Sequence, residues 1–428
     1  MSGAPDLVVF HARMVPCSES EIAMGKVHEL QMIEDGALVV ASGRIERIGK
    51  TEEVLAQTTL GPDTVLVDAE GRALVPGFVD PHTHALYHGR RIPEMQLRQE
   101  GKGYLEILDA GGGIQETVRQ TAAVDDENLA RETRRRIAET ATYGTTTVEV
   151  KTGYGLTPER EMRLLRVLAQ VRRHAPVEIY RTFLGLHAWP LGVENREDHL
   201  LAMDGMLADV KKRDLADAVD VFCEQGVFSP ADTRRHLEAA RAAGLAVRLH
   251  ADELRPSDGA ELAAELGALC ADHLLAATDQ GLNAMAENSV VAVNLPGTAF
   301  FLHEQALPAA RQRAAGVVAA LATDHNPGSS PTFSMPMTMA LAMHRAGFTP
   351  AEALLAATRG AALALGLEGS RGQVAPGLRA DFVLLDDPDY RVLMYSFGMN
   401  PVQAVYAAGR LVARSGRVTE EVQAWIDS

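Results

Sequence analysis

The sequence predicts an α/β fold: a (β/α)8 TIM-like barrel with a small composite β-sandwich that is formed by both ends of the chain. Three features of the 428 residues support this prediction. Apolar runs alternate with Ala-, Leu- and Arg-rich helical patterns through the middle of the chain, and eight such pairs can be counted there. Both ends consist instead of short strands separated by turn residues. Eight βα repeats are typical of a closed parallel barrel.

The two ends of the chain share one pattern. Apolar runs such as Leu7–Phe10 and Ala37–Val40 near the start, and Asp381–Leu385 and Val402–Ala407 near the end, are bounded by glycine-containing turns, as in antiparallel sheets. Each end is too short to enclose a core alone, so we expect one sandwich built from both. The predicted domains are 1–73 and 368–428 for the sandwich and 74–367 for the barrel.

Eight barrel strands are predicted in the middle of the chain: Leu74–Asp80, Thr145–Val150, Val177–Leu184, Ala218–Cys223, Ala246–His250, Leu269–Leu274, Val290–Leu295 and Val317–Thr323. Helical patterns such as Arg131–Thr142 and Pro158–His174 lie between them. An open doubly wound sheet is an alternative, but no glycine-rich dinucleotide fingerprint follows the first strand.

The charge balance bears on the partners of the protein. Lys and Arg number 41 against 57 Asp and Glu, a net charge of −16, which argues against nucleic acid as a partner. Hydrophobic residues make up 46% and charged residues 23%, as in globular proteins able to bury a large core. The balance does not argue against a small-molecule substrate, because a local arginine can bind an anion.

The cysteines and the apolar runs bear on the compartment. Cys17, Cys223 and Cys270 are odd in number and show no paired spacing, which excludes a disulfide framework and fits a reducing cytoplasm. The first residues lack the pattern of a signal peptide. No run approaches the ~18–20 apolar residues of a membrane span. We expect a cytoplasmic enzyme with no membrane partner.

Polar side chains follow seven of the eight predicted strands. In a barrel, the active site lies at the C-terminal ends of the strands, and several strands contribute to it. The seventh strand, which ends near Pro296-Gly297, offers no obvious polar group. In strand order, the others are His82 and His84, Lys151 and Tyr154, His187, Cys223 and Glu224, His250 and Glu253, His273, and Asp324 and Asn326.

A metal site is predicted where the first strand ends. His82 and His84 are two residues apart in an extended segment, so both imidazoles project to the same side. His250 and Asp324 would complete a mixed nitrogen and oxygen site that suits Zn²⁺ or Fe²⁺ and leaves a position for water. As alternatives, His250 is a core histidine and Asp324 caps a helix ahead of Pro327.

This pattern resembles the amidohydrolase superfamily, which implies a barrel hydrolase that uses a divalent metal. Many members hold two ions, bridged by a carboxylated lysine at the end of strand four. Here Val221–Glu224 contains no lysine, which favours one ion per subunit. Lys151, at the end of strand two, is interpreted as a structural or substrate-side cation.

Within the superfamily, nearly the whole chain resembles the members that hydrolyse an imidazolone ring with a propanoate tail in histidine degradation. The motifs that carry this resemblance are Asp80–His84, Ala110–Ile114, Glu149–Leu156, Thr182–Ala188, His250–Glu253, Ala271–Leu274 and Ala322–Ser329. Two departures are His88, where a smaller residue is usual, and His325, where Phe is usual. His325 could alter the pocket wall or its pH response.

The resemblance implies roles for individual residues. The metal ligands would be His82, His84, His250 and Asp324. The residues that line the substrate, which carries a carboxylate tail, would be Arg91, Tyr154, His187, Glu253, Asn326, Gly328 and Ser329.

Ring opening also needs groups that transfer protons. Asp324 could accept a proton from water, Glu253 could hold the ring nitrogen or relay a proton, and His273 could stabilise an oxyanion. These three are the candidate catalytic residues.

Local patterns add further expectations. Arg91 can bind the tail carboxylate with two hydrogen bonds, or it is a surface charge like Arg90. The turn 326–329 offers an anion cradle, or it is an ordinary βα turn. Tyr154, between two glycines, is expected in a flexible loop. The glycine-rich segment Ala110–Gly113 is expected to close over the site.

Two other classes of function remain open from the sequence. A metal-dependent deaminase shares the barrel and the metal set, but it has less use for an arginine that binds carboxylate. A non-catalytic barrel would be expected to lose a ligand, and all four candidates are present. A homodimer is the default assembly for such a chain.

Overall fold

The computed structural model describes residues 4–102 and 112–428, apart from the side chain of Arg98. The strands are β1 Leu7–Met14, β2 Ile33–Ala41, β3 Arg44–Lys50, β4 Val65–Asp68, β5 Ala73–Pro76, β6 Phe78–Asp80, β7 Thr145–Lys151, β8 Glu178–Leu186, β9 Ala218–Cys223, β10 Ala246–Val247, β11 Leu249–Ala251, β12 Cys270–His273, β13 Val291–Asn294, β14 Ala319–Leu321, β15 Phe382–Leu385, β16 Val402–Ala407, β17 Arg410–Arg414 and β18 Arg417–Val418.

The α-helices of the described residues are α1 Thr51–Ala56, α2 Ile92–Gln99, α3 Ile114–Ala123, α4 Asp126–Thr142, α5 Pro158–Arg172, α6 Arg196–Lys212, α7 Pro230–Ala242, α8 Gly259–Leu266, α9 Asp279–Glu287, α10 Pro296–Phe301, α11 Ala309–Ala315, α12 Met335–Leu341, α13 Pro350–Leu355, α14 Ala361–Ala364, α15 Val392–Tyr395 and α16 Glu420–Asp427. Two π-helical turns, Ala342–Ala346 and Ala356–Gly360, interrupt the last helical region of the barrel.

The strands from both ends of the chain share one mixed sheet. Its order is β18-β17-β16-β15-β5-β1-β2-β3, with β4 paired to β1. β15 joins the two ends, because it pairs antiparallel with β5, placing Leu384 opposite Leu74. Phe382 and Tyr406 stack in the buried core of this unit, with ring centroids 4.6 Å apart. The predicted composite β-domain is therefore confirmed.

The second sheet is a nearly closed barrel of parallel strands. Its order is β14-β13-β12-β11-β9-β8-β7-β6, with β10 paired to β9. Main-chain contacts just beyond β14 and β6 close the seam: Thr83 bridges to His325, Asp324 N donates to His82 O at 3.0 Å, and His84 N donates to His325 O at 2.9 Å. The predicted barrel is confirmed, and its seam is formed by candidate site residues.

The predicted first strand, Leu74–Asp80, is wrong in one respect: it is two strands in different sheets. Ala73–Pro76 belongs to the mixed sheet and Phe78–Asp80 to the barrel. The chain changes sheets at Gly77, where a Cβ would overlap the side chain of Thr146. Only glycine fits this close approach. The domain limits 1–73, 74–367 and 368–428 stay a prediction.

The other predicted strands differ mainly at their ends. Ala218–Cys223 has the bounds that were predicted. The predicted strand Ala246–His250 is divided into Ala246–Val247 and Leu249–Ala251. Each part pairs with β9, so the barrel order does not change.

No helix in residues 4–102 and 112–428 is long and apolar enough to cross a membrane. Ala110 and Gly111, which begin the glycine-rich segment, lie outside the described residues. The expected closing loop therefore stays a prediction.

Candidate active site

The barrel brings the four candidate metal ligands together. His82 and His84 follow β6, His250 lies in β11, and Asp324 follows β14. The Nε2 atoms of His82 and His84 are 3.3 Å apart, and those of His84 and His250 are 3.5 Å apart. Asp324 Oδ1 is 3.4 Å from His82 Nε2 and 3.5 Å from His84 Nε2. All four side chains are buried.

These donor atoms fit a divalent cation. Ligands at about 2.0–2.1 Å from a tetrahedral zinc ion are about 3.3 Å apart, which matches the separations found here. Asp324 Oδ2 accepts a hydrogen bond from Thr298 Oγ1 at 2.5 Å, whereas Oδ1 has no hydrogen-bond partner among the described residues. Such a buried, unpaired carboxylate oxygen is costly unless a cation binds it.

Thr298 corrects one expectation about the strands. The seventh strand was expected to offer no polar group near Pro296-Gly297. Thr298 follows directly, in α10, and orients the Asp324 carboxylate. The sequence signal was a hydroxyl side chain one residue beyond the strand-end turn.

Carboxylates orient two of the imidazoles. His82 Nδ1 donates to Asp272 Oδ2 at 2.6 Å, and His250 Nδ1 donates to Asp220 Oδ1 at 3.1 Å. A proton held on Nδ1 leaves the Nε2 lone pair free to bind a metal. His84 Nδ1 has no such partner within the described part of the chain.

Beneath the ligands lies a network of fully buried charges. Lys151 Nζ is 2.8 Å from Asp220, 2.9 Å from Glu149 and 3.6 Å from Asp272. Arg248 Nη2 lies 2.9 Å from Asp272. Burial alone would lower the pKa of Lys151, and Arg248 acts in the same direction, but the three carboxylates raise it above its ordinary value. Lys151 thus makes the contacts expected of a structural cation.

Sequence reasoning missed the carboxylates of this network. Asp220 and Asp272 each interrupt an apolar barrel strand, β9 and β12. A charged residue at such a position is rarely buried without a partner. That signal could have identified both residues.

The environment perturbs the ionisation of the site. Burial, with neighbouring positive groups, lowers the pKa of His82, His84 and His273 well below the ordinary value, so these imidazoles are neutral, as metal binding requires. Burial also raises the pKa of Asp324 to about 7 and that of Glu253 to about 8. The Asp324 carboxylate adds to the shift of Glu253.

The two other candidate catalytic residues lie beside the ligands. Glu253 Oε1 is 3.6 Å from His273 Nδ1. The His273 ring centroid is 5.1 Å from that of His250. His82, His250 and His273 also form a group whose ligand atoms all lie within 4.8 Å of one another. Glu253 and His273 are thus close enough to act on a substrate at the ligand cluster.

Tyr154 and His187 form one wall of the site. His187 stacks on His84, with centroids 4.9 Å apart and an angle of 13° between the rings. Tyr154 lies 5.6 Å from the His187 ring and 5.9 Å from the His84 ring. His187 Nδ1 is hydrogen-bonded to Gly153 O at 3.0 Å, which links the loop of His187 to the loop of Tyr154.

The loop that carries Tyr154 is fixed by hydrogen bonds to Glu161, contrary to the expectation of a flexible segment. The buried carboxylate of Glu161 accepts hydrogen bonds from the main-chain N–H groups of Gly153 at 3.1 Å, Gly155 at 2.7 Å and Leu156 at 2.8 Å. Tyr154 itself is 4% exposed. Sequence reasoning missed Glu161, because a glutamate in the first turn of a helix is common on the surface as well.

Arg91 lies against the turn that follows Asp324. Glu94 binds its guanidinium with two hydrogen bonds, of 2.9 and 2.7 Å. A Cβ at Gly328 would overlap the guanidinium, so glycine allows the approach. The N–H groups of Gly328 and Ser329 donate to Asn326 Oδ1 at 2.8 and 2.7 Å. The side chain of Asn326 therefore already accepts hydrogen bonds from the N–H groups that were expected to bind an anion.

His325 is part of the barrel wall. Its Nδ1 donates to Thr332 O at 3.0 Å, its Nε2 lies 3.2 Å from the Tyr87 hydroxyl, and Phe333 packs on its ring with centroids 4.1 Å apart. Burial, together with the Arg136 guanidinium, lowers the pKa of His325 to about 3. With so low a pKa, the His325 imidazole is neutral near pH 7.

Comparison with known sequences places the chain among hydrolases. The profile of the Amidohydrolase family matches residues 73–412. An imidazolonepropionase from Geobacillus kaustophilus (strain HTA426) is 44% identical over 404 residues, which cover 94% of this chain and 95% of that protein. Another from Symbiobacterium thermophilum is 44% identical over 397 residues, which cover 92% and 93%.

Solved structures with the same fold include several deaminases. An adenosine deaminase from Xanthomonas campestris, crystallised with bound zinc, superposes with a TM-score of 0.74 at 22% identity, over 100% of this chain and 99% of that one. Guanine deaminase from E. coli gives a TM-score of 0.75 at 18% identity, over 95% and 98%. At these identities the likeness shows the fold alone.

Proposed function

Because the chain belongs to the amidohydrolase family and, within it, to the imidazolonepropionases, we propose that it hydrolyses 4-imidazolone-5-propanoate to N-formimidoyl-L-glutamate. The observation that carries this proposal is that His84 Nε2 lies within 3.5 Å of His82, His250 and Asp324 in a chain 44% identical to a named imidazolonepropionase. The reaction cleaves a carbon–nitrogen bond of a cyclic amide.

One divalent ion, Zn²⁺ or Fe²⁺, is the proposed cofactor of each subunit. The four ligands would hold it, and when bound it would lower the pKa of a water molecule towards about 7 and polarise the ring carbonyl. The end of strand four, where a bridging carboxylated lysine would lie, is consistent with a single ion. Glu224 lies there instead, and its carboxylate accepts hydrogen bonds from the main-chain N–H groups of Leu254 and Gln225 at 2.9 and 3.0 Å.

Proton transfer is assigned to Asp324 and Glu253. The Asp324 carboxylate would accept a proton from the attacking water, and Thr298, which donates a hydrogen bond to its Oδ2, would keep the carboxylate oriented. Glu253 would hold a proton on its carboxyl at pH 7, because its pKa is raised to about 8, and donate it to the leaving ring nitrogen. A new carbon–oxygen bond forms as the carbon–nitrogen bond breaks.

The remaining side chains would orient the substrate. Arg91, which Glu94 holds in place, would bind the propanoate carboxylate beside Asn326 and Ser329. His273 would donate a hydrogen bond to the oxygen that gains charge in the transition state.

The ring would lie between the metal ligands and the wall formed by Tyr154 and His187. The buried position of that wall would exclude water from the face of the ring opposite the attack.

The test is to follow the ultraviolet absorbance of imidazolonepropionate with metal-replete protein. We expect the absorbance to fall as the ring opens, without release of ammonia. Ammonia release in step with the loss of absorbance would indicate a deaminase instead. No change with metal-replete, folded protein would refute the proposal.

We also propose a cytoplasmic location and a homodimer that binds neither nucleic acid nor membrane. The three cysteines are all buried free thiols, which suits a reducing compartment. The net charge of −16 opposes binding to phosphate backbones. Two-fold dimers are the commonest soluble assembly, and light scattering coupled to gel filtration would test that state.

A further inference from the structure

We propose that Lys151 is a positioning residue that sets the affinity of the metal site, because one ammonium group joins the two carboxylates that orient His82 and His250. The inference rests on the metal site of the proposed function and extends it to a residue that touches neither the substrate nor the ion. It concerns the binding of the metal and can be tested without substrate.

The geometry places Lys151 between two ligand systems. One runs from His82 Nδ1 to Asp272 Oδ2 at 2.6 Å, and the other from His250 Nδ1 to Asp220 Oδ1 at 3.1 Å. Lys151 Nζ lies 3.6 Å from Asp272 Oδ2 and 2.8 Å from Asp220 Oδ2. A displacement of this one atom would therefore reach two ligands of the same ion.

The chemistry of an ammonium group suits this place. It is a compact positive charge that donates a hydrogen bond to Glu149 Oε1 at 2.9 Å and forms ion pairs with Asp220 and Asp272. Glu149 in turn accepts a hydrogen bond from Thr83 N at 3.0 Å, and Thr83 lies between the two histidines of the first strand. The network thus reaches the main chain that carries His82 and His84.

The balance of charge shows why the cation is needed. Glu149, Asp220 and Asp272 are completely buried, and among the described residues the cations that contact them are Lys151 and Arg248. Without Lys151 the carboxylates would repel one another in a medium of low dielectric constant. They would move apart, and the imidazoles bonded to them would turn with them.

The roles of Lys151 and Arg248 differ. Arg248 Nη2 contacts Asp272 at 2.9 Å and Pro81 O at 2.6 Å. Both contacts are next to His82, so Arg248 stabilises the position of that ligand. Lys151 is the cation of this pair that contacts both Asp220 and Asp272. Loss of Lys151 should therefore loosen two ligands at once.

The experiment measures zinc binding by competition with a chromophoric chelator. The variants are Lys151→Met and the double variant Lys151→Met/Glu149→Gln, which removes one positive and one negative charge and so avoids an unpaired buried carboxylate at residue 149. The control is Arg181→Met/Asp217→Asn. That pair also joins a buried arginine, of β8, to a carboxylate just before β9, at 2.9 Å. Neither residue is one of the carboxylates bonded to His82 and His250.

We expect both Lys151 variants to bind zinc about 10–100-fold more weakly than the wild type. That is the range when a direct partner of a ligating residue is lost, and here two such partners, Asp220 and Asp272, would be displaced. The control should bind zinc within about twofold of the wild type, even if it unfolds at a lower temperature. Unchanged zinc affinity in a folded double variant would overturn the proposal. An equal loss in the control would also overturn it, because the effect would then be general destabilisation. A failure of the proposed reaction would appear separately, as wild-type protein that binds zinc but leaves the absorbance of imidazolonepropionate unchanged.

Discussion

Asp324 Oδ1 lies 3.4 Å from His82 Nε2, although the two residues follow the last and the first strands of the barrel. The main chain joins the same pair, since Asp324 N donates to His82 O at 3.0 Å. The ligands therefore lie on both sides of the seam that closes the barrel. A bound ion would tie the first strand to the last.

Metal removal should therefore lower the thermal stability of the whole barrel. A ligand present at about 1,000 times its dissociation constant stabilises the native state by about 4 kcal/mol. We expect the melting temperature to fall by several degrees after treatment with a chelator and to recover when zinc is returned. Calorimetry on the two forms measures the change, and equal melting temperatures would argue against a metal bridge across the seam.

Glu253→Gln should separate proton transfer from binding. Burial, together with the Asp324 carboxylate, raises the pKa of Glu253 to about 8, so the carboxyl is protonated below pH 8 and loses its proton above it. If this proton goes to the ring nitrogen, kcat falls as the pH rises through 8. The kcat of the glutamine variant should be about 10²–10⁴-fold lower than that of the wild type. It should also show no fall as the pH rises through 8. Intact turnover would exclude Glu253 from proton transfer.

Glu161→Gln should weaken the binding of substrate through Tyr154. The carboxylate accepts from three main-chain N–H groups of the Tyr154 loop, and an amide would place its own N–H₂ against one of them. We expect KM to rise about tenfold, which corresponds to about 1.4 kcal/mol, with a smaller change in kcat. Steady-state kinetics measure both constants.

The control for this prediction lies on the same helix. Glu159 is exposed, and Glu159→Gln should leave both constants unchanged. A fall in kcat at constant KM for Glu161→Gln would show that the loop does not act through binding.

The native protein should be inert to thiol reagents. Burial, with nearby carboxylates, raises the pKa of Cys223 to about 11, and burial also raises the pKa of Cys17 and Cys270. At pH 8 only about one Cys223 in a thousand would be a thiolate. An aromatic disulfide reagent should therefore titrate no thiol in the native state and three after denaturation. A rapidly reacting native thiol would show that one of these sites opens to solvent.

Much of the architecture could be predicted because local pattern determines it. Runs such as Ala218–Cys223 are apolar enough to mark a buried strand, and His82 and His84 are two residues apart at the end of one. The exchange of sheets at Gly77 could not be predicted in this way, because apolar residues continue on both sides of it.

The buried charges and hydrogen bonds that hold the site in place depend on tertiary contacts. The spacing of residues along the sequence does not encode these contacts. Lys151 meets Asp220 and Asp272 because alternate strands of the barrel, β7, β9 and β12, place them at the same level. The N–H groups of the turn 326–329 looked available in the sequence, yet Asn326 Oδ1 accepts two of them. Such choices between partners are decided by geometry at the level of single atoms.

The central claim is that three imidazoles and one carboxylate hold an ion that enables ring hydrolysis. The most direct measurement compares zinc content and the rate of imidazolonepropionate absorbance loss in the same samples of wild type and Asp324→Ala. We predict about one ion per wild-type chain and rapid loss of absorbance, and in the variant reduced zinc and a rate lower by about 10²–10⁴-fold. Wild-type turnover by a folded Asp324→Ala protein would contradict the claim.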